Sequence, residues 1–199
     1  MKRVITATLA IAVVGILLFP SLAAASAATD QLKASIDGII AILSDPSLKG
    51  PEMAEKRREK IRIKIHERFS FHDMAKRSLG KAWRARSKEE RQEFVTIFSQ
   101  LIQDSYIGKI EGYSDEKVLY DNEILRKRTA VIKTRIITKE GTDIPLDYRL
   151  IEKPGGTWMV YDVIIEGISL VRNYRTQFST TISSSSYENL VNKLKSKVQ

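Results

Sequence analysis

The chain has 199 residues, with 33 Lys and Arg against 24 Asp and Glu and a formal charge of +9 at neutral pH. It contains no cysteine, which excludes disulfides, thiol catalysis and thiolate metal sites and leaves the fold to be held by its core alone. The positive charge is concentrated, because residues 49–91 hold 15 Lys and Arg against 7 Asp and Glu.

At the N-terminus, Lys2 and Arg3 precede an uncharged run from Val4 to Phe19, then Pro20 and a small-residue tract with Ala25-Ser26-Ala27. That order is the pattern of a secretory signal peptide over residues 1–27, cleaved after Ala27. The run is shorter than the ~20 residues of a spanning helix. The missing cysteine excludes a lipid-anchored start. Residues 28–199 are then expected to form a single exported domain. In that compartment nucleic acid is not the expected partner of a basic stretch. Anionic lipid headgroups or an acidic protein fit better, with Arg57, Arg58 and Lys60 as the candidate surface. The same segment also reads as a solvated helix face, since Glu52, Glu55, Glu59 and Glu67 are interspersed.

Asp30 is placed to cap a first helix carrying Leu32, Ile36, Ile39, Ile40 and Leu43, which ends at Asp45-Pro46. Pro51 suits the first turn of a second helix reaching Arg68. There Ile61, Ile65 and Phe69 outweigh the strand-like alternation of Ile61, Ile63 and Ile65. A short helix from Phe71 to Leu79 stops at Gly80. Ser87-Lys88-Glu89-Glu90 is a capping box that opens a long helix striped by Phe94, Ile97, Phe98, Leu101, Ile102 and Tyr106. Four β-rich runs follow: Lys117 to Asn122, Thr129 to Thr138, Ile144 to Glu152 and Thr157 to Ile165. Glu140-Gly141 and Pro154-Gly155-Gly156 mark tight connections and hence antiparallel neighbours. Ser169 caps a helix after Gly167, Ser183 to Ser186 interrupt it, and a last helix carries Leu190, Val191, Leu194 and Val198. Helices, a meander and helices again describe an α+β domain.

The run Trp158 to Phe178 changes from strand to helix at Gly167. Simple alternation puts Trp158, Val160 and Ile164 on one face of the strand and Met159, Val163 and Ile165 on the other, so it needs cover on both. Leu170, Tyr174 and Phe178 recur every four residues as one helical stripe. The chemistry-bearing inventory is thin. His66 and His72 are the only side chains suited to proton transfer near neutral pH. Adjacent His72 and Asp73 point to different helix faces, and His72 reads as a surface or capping residue. Asp162 and Glu166 read as braces of the strand-to-helix joint rather than an acid/base pair. No nucleophile elbow, phosphate loop or two-His metal spacing is present, so the chain does not read as an enzyme and no cofactor is expected.

Within this run, Tyr161-Asp162-Val163, Glu166-Gly167-Ile168-Ser169, Asn173-Tyr174-Arg175 and Gln177-Phe178 resemble the signature of the MlaC/toluene-tolerance family, periplasmic shuttles of phospholipid. Upstream, Phe69-Ser70-Phe71, Met74-Ala75, Leu79-Gly80, Trp83, Phe94, Phe98, Tyr106, Ala130-Val131, Tyr148-Arg149-Leu150 and Trp158 follow in the same order. One departure is the loop before the last helix, where the family usually has glycine and this chain has Ser184 to Glu188. The resemblance implies a curved antiparallel sheet of about four strands, NTF2-like, wrapped by N- and C-terminal helices around an apolar pocket. It implies a monomeric periplasmic carrier serving outer-membrane lipid asymmetry and solvent tolerance. The implied partners are an inner-membrane MCE-domain ABC transporter and an outer-membrane lipoprotein–porin complex. Candidate lining residues are Phe94, Phe98, Leu101, Tyr106, Tyr148, Val163, Ile165, Ile168, Leu170, Tyr174 and Phe178. The physical logic is that a buried CH₂ is worth ~0.8 kcal/mol, so two acyl chains left in water would cost on the order of 20 kcal/mol. A hopanoid carrier and an NTF2-like enzyme are the alternatives, the latter marked by a polar acid or base at the pocket floor.

Overall fold

The structure is a computed structural model of the chain, and it describes residues 26–113 and 116–198. The expected signal peptide lies outside the described residues except for Ser26 and Ala27, which open the first helix. The helices are α1 (Ala27–Ser44), α2 (Ala54–Arg68), α3 (Phe71–Leu79), α4 (Lys88–Glu111), α5 (Leu170–Ser184) and α6 (Tyr187–Lys195). The strands are β1 (Lys117–Arg126), β2 (Thr129–Ile137), β3 (Asp143–Glu152), β4 (Trp158–Ile165) and the two-residue β5 (Ile168–Ser169).

Local chemistry accounts for most boundaries. Ser87 accepts from the Glu90 N–H while the Glu90 carboxylate accepts from the Ser87 N–H, closing the capping box of α4. Gly80 ends α3 at φ 58°, a conformation that costs glycine little. The helical reading of α2 holds, because Ile61 and Ile65 are buried while Ile63 is 49% exposed. Three boundaries differ from expectation. Ser26 rather than Asp30 caps α1, its hydroxyl accepting from the Ala28 N–H, and Asp30 sits in the first turn. Pro51 opens a short 3₁₀ turn, Pro51–Met53, ahead of α2. β1 runs on past Asn122 to Arg126, through a bulge at Asp121. The polar run Asp121-Asn122-Glu123 at the bulge breaks its apolar pattern in the sequence. The serine tract serves both of its neighbours: Ser185 ends α5, and the Ser186 hydroxyl accepts from the Asn189 N–H to start α6.

The strands pair antiparallel in chain order, β1-β2-β3-β4-β5. Leu150 pairs with Val160 and Arg149 with Asp162, so Tyr161 is an extra residue in β4. This bulge overturns the simple alternation expected for the strand. Trp158 and Val160 before it share a face with Val163 and Ile165 after it, all in the cluster that includes Ile132, Tyr148 and Leu150. A second cluster is helical. Phe94 and Phe98 of α4 meet Tyr174 and Phe178 of α5 with ring centroids 5.6–6.0 Å apart, and Tyr187 of α6 closes against Phe94 at 6.3 Å.

The end of α4 is tied to α2 by Glu111, whose carboxylate accepts from Arg57 Nη2 and Arg58 Nε at 2.8 Å each. Arg57 also donates to the Leu48 carbonyl at 2.8 Å. Burial pushes the Glu111 carboxyl up, but the hydrogen bonds from Arg58 and Arg57 outweigh it and hold the group below its ordinary value. Arg57 and Arg58, two of the three cations expected to form a free partner surface, are therefore ion-paired to a residue of the same chain. Because the folded pKa is depressed, this contribution is complete above the ordinary glutamate range and is lost as pH falls through the lower folded value. Glu111→Gln should cost about 1 kcal/mol in urea unfolding at neutral pH, a modest figure because Arg58 faces solvent. Its stability should fall less than that of the wild type between neutral and acid pH, and parallel pH profiles would refute the clasp.

Candidate functional site

A cavity of about 630 Å³ lies between the inner face of the sheet and helices α1, α2 and α4, within the roughly 300–1,000 Å³ range of small-molecule sites. Each wall follows from a periodicity. From α1, Ile36, Ile39, Ile40 and Leu43 turn one helical stripe inward; β2 and β3 contribute Ile136, Ile144, Leu146 and Tyr148. The bulge at Tyr161 adds Val163 and Ile165 from β4, and Ile102, Tyr106 and Ile110 come from α4. Leu32, Met74 and Leu170 are buried members of the lining.

The charged residues among the described lining are Lys64, Arg68, Lys109, Glu116 and Glu166. Lys109 with Gly112, at the end of α4, and Glu166, after β4, are its exposed members there. Glu166 takes φ 48° in the tight turn with Gly167 and donates its N–H to the Pro145 carbonyl. Lys109 lies 5.4 Å from the centre of the Tyr106 ring. Arg68 is held by neutral acceptors, Ser35 Oγ at 2.9 Å, Gln31 Oε1 at 2.8 Å and the Trp158 carbonyl at 2.6 Å. Burial pushes the phenols of Tyr148 and Tyr106 up, so both stay neutral. The Thr134 hydroxyl inside the sheet donates to the Leu146 carbonyl. A separate depression of about 580 Å³ between α2 and α4 is lined by Glu59, Arg62, His66, Glu67 and Gln100, and so offers little to an apolar ligand.

The buried carboxylate, Asp162, points away from the cavity. It accepts from Arg149 Nη1 at 3.2 Å, Ser169 Oγ at 2.7 Å and the Val171 N–H at 3.1 Å, which fastens β3, β4 and the start of α5 together. Ser169 in turn caps α5 by accepting from the Arg172 N–H. The bracing read from sequence for this joint thus falls to Asp162, with Glu166 shaping the turn. The carboxylates among the described lining residues are Glu116 and Glu166, and no histidine is among them. No group of three or more His, Cys, Asp or Glu among the described residues could hold a metal ion.

The structure divides the eleven expected lining residues. Tyr106, Tyr148, Val163, Ile165 and Leu170 line the cavity. Phe94, Phe98, Leu101, Tyr174 and Phe178 do not reach it, because α4 and α5 pack those side chains into the helical core. Ile168 stands 62% exposed on β5. Sequence reasoning missed the whole contribution of α1 and that of Val118, Ile136, Ile144 and Leu146. The inward stripe of α1 was visible in its spacing, but nothing local said that it faces a cavity rather than a packed core.

A family model described as MlaC protein matches residues 33–196. The chain belongs to the MlaC family. The intermembrane phospholipid transport system binding protein MlaC of Haemophilus influenzae is 25% identical over 120 residues, 58% of this chain. The match covers 56% of that protein, so the chain spans little more than half the length of this curated relative. The phospholipid-binding protein from Ralstonia solanacearum, solved in complex with a phospholipid, matches with a TM-score of 0.78 at 27% identity, covering 86% of this chain and 96% of that one. Among the described residues the six helices and five-stranded antiparallel sheet are therefore an MlaC architecture, with one more short strand than the sequence suggests. Among the described residues no helix is long and apolar enough to cross a membrane.

The Asp162 node carries a direct test. Asp162→Ala leaves the buried Ser169 hydroxyl and the Val171 N–H without their partner and should cost about 3 kcal/mol, whereas Ser169→Ala, which loses the cap, should cost about 1 kcal/mol. Thermal melts that rank the two in the opposite order would remove Asp162 as the organising group.

Proposed function

We propose that the protein is a lipid carrier, binding a phospholipid by its acyl chains in the cavity and leaving the headgroup at the mouth beside Lys109 and Glu166. The observation that carries this reading is the composition of the lining: a largely aliphatic interior of about 630 Å³ with a few charged residues, of which Lys109 and Glu166 are exposed. Acyl chains gain from apolar burial at ~0.8 kcal/mol per CH₂, while a charged headgroup would lose its hydration if taken inside. The phospholipid in the Ralstonia solanacearum structure and the name of the Haemophilus influenzae relative, a binding protein of an intermembrane transport system, support a carrier rather than an enzyme. The lining residues Tyr106, Tyr148, Val163, Ile165 and Leu170 are the side chains we assign to the chains of the ligand. The protein works in the periplasm after loss of residues 1–27. It hands its cargo to and from membrane complexes: an MCE-domain ABC transporter on the inner side and a lipoprotein–porin assembly on the outer. It consumes no energy of its own.

Protein purified from its native compartment should release phospholipid on solvent extraction and show one lipid per chain by native mass spectrometry. Val163→Asp places a carboxylate against the chains and should abolish that occupancy with the circular-dichroism spectrum retained. Ile168→Asp, at an exposed site, should leave occupancy intact. Equal lipid loss in both variants, or none in either, would sink the assignment of the cavity.

A further inference from the structure

The stretch Met74 to Arg86 carries Lys76, Arg77, Lys81, Arg84 and Arg86 with no Asp or Glu, and α5 carries Arg172 and Arg175 with none either. The two segments meet in the fold. α3 packs along α5, and the missing side chain of Gly80 makes room for Arg175, whose Nε would lie 2.9 Å from a Cβ at that position. Arg77 is laid over the ring of Tyr161 at 4.1 Å, so the residue that makes the bulge in β4 also holds a cation of this face. Arg86 is spent on Glu90 and Glu188. The other six, Lys76, Arg77, Lys81, Arg84, Arg172 and Arg175, are all exposed, and among the described residues none is within ion-pair distance of a carboxylate.

We propose that this face, formed by α3, the 3₁₀ turn Gly80–Ala85 and α5, docks an acidic protein surface. Bringing six cations together on three elements without counter-ions raises self-repulsion and contributes nothing to the core, so the charge is free to act outward. Four of the six are arginines, whose planar fork takes a carboxylate through two parallel hydrogen bonds. A bilayer fits the surface less well. The exposed large apolar side chains, Ile63, Leu119, Ile124, Leu125 and Ile168, lie on none of the three elements, which leaves no apolar face to sink into the acyl boundary. None of the six cations lines the cavity. The proposal stands on charge and placement and does not depend on the identity of the cargo.

The test uses the full chain in its own host, with a photoreactive side chain at Thr176 on this face or at Lys133 on β2 as the control, both exposed. The expected result is an adduct from position 176 and not from 133, with a protein segment rich in Asp and Glu. It should fall at least tenfold in Arg172→Glu/Arg175→Glu and equally in Lys76→Glu/Lys81→Glu, while lipid occupancy by native mass spectrometry stays unchanged. The second pair lies on α3 and the 3₁₀ turn rather than on α5, so a folding defect in one pair does not decide the matter. Lack of an adduct, an adduct that survives both reversals, or one with a segment lacking acidic excess would overturn the proposal. So would binding to phosphatidylglycerol vesicles that both reversals abolish, since that would make the partner a membrane. Loss of lipid occupancy in the variants would instead tie the face to the cargo and equally refute it.

Discussion

Tyr161, the extra residue in β4, reverses inside and outside along the strand between Val160 and Val163. Were Tyr161 a regularly paired residue of the strand, Val163 and Ile165 would face outward and Asp162 would face the cavity. With the bulge, two aliphatic side chains complete the wall and the carboxylate turns to Arg149, Ser169 and the backbone of α5. A bulge costs one ladder position, and here that loss separates two incompatible demands. An apolar ligand site tolerates no unpaired charge, and the joint between sheet and helix needs a strong acceptor. The same residue takes Arg77 on its ring, so a single insertion shapes the cavity, the joint and the basic face.

The partition of side chains between the two clusters follows a related logic. The large rings, Phe94, Phe98, Tyr174 and Phe178, pack edge to face among α4 and α5. Such contacts add to burial and resist rearrangement. The cavity is lined mostly by Ile, Leu and Val held on backbone elements that this aromatic layer stiffens. Aliphatic walls offer an acyl chain contacts that do not depend on direction. A void of this size costs stability wherever it stays empty, and the cost is offset only when a ligand fills it. Lipid occupancy and folding stability are coupled for that reason.

Charge is divided in the same way between cations with internal work and cations without it. Arg57 and Arg58 close on Glu111, and Lys153 on Asp73, which also takes the Ser70 hydroxyl. These pairs join helices to one another and to the β3–β4 connection. They are structural despite lying in the most basic part of the chain. The surplus appears instead where the stretch Met74 to Arg86 meets α5, two segments far apart in sequence and each free of acid. Net charge along the chain located the surplus only coarsely, because pairing depends on which carboxylate the fold delivers to each cation.

By itself the sequence determined the helices, the antiparallel meander and the family. Phe71–Leu79 with Gly80, the Ser87 capping box and Ser169 as a cap are local hydrogen-bonding and backbone choices, and those are written within a few residues. It also determined which face of α1 is apolar. What it left to the tertiary structure was what lies opposite each apolar face. The stripes of α1 and α4 read alike, yet one lines a cavity and the other mostly meets the rings of α5. The inward side of β4 past Tyr161 is set by pairing with β3, and the engagement of Arg57 by a carboxylate 54 residues away. Periodicity fixes the direction of a side chain within its own element, whereas its partner is chosen by the packing of elements that sequence spacing does not relate.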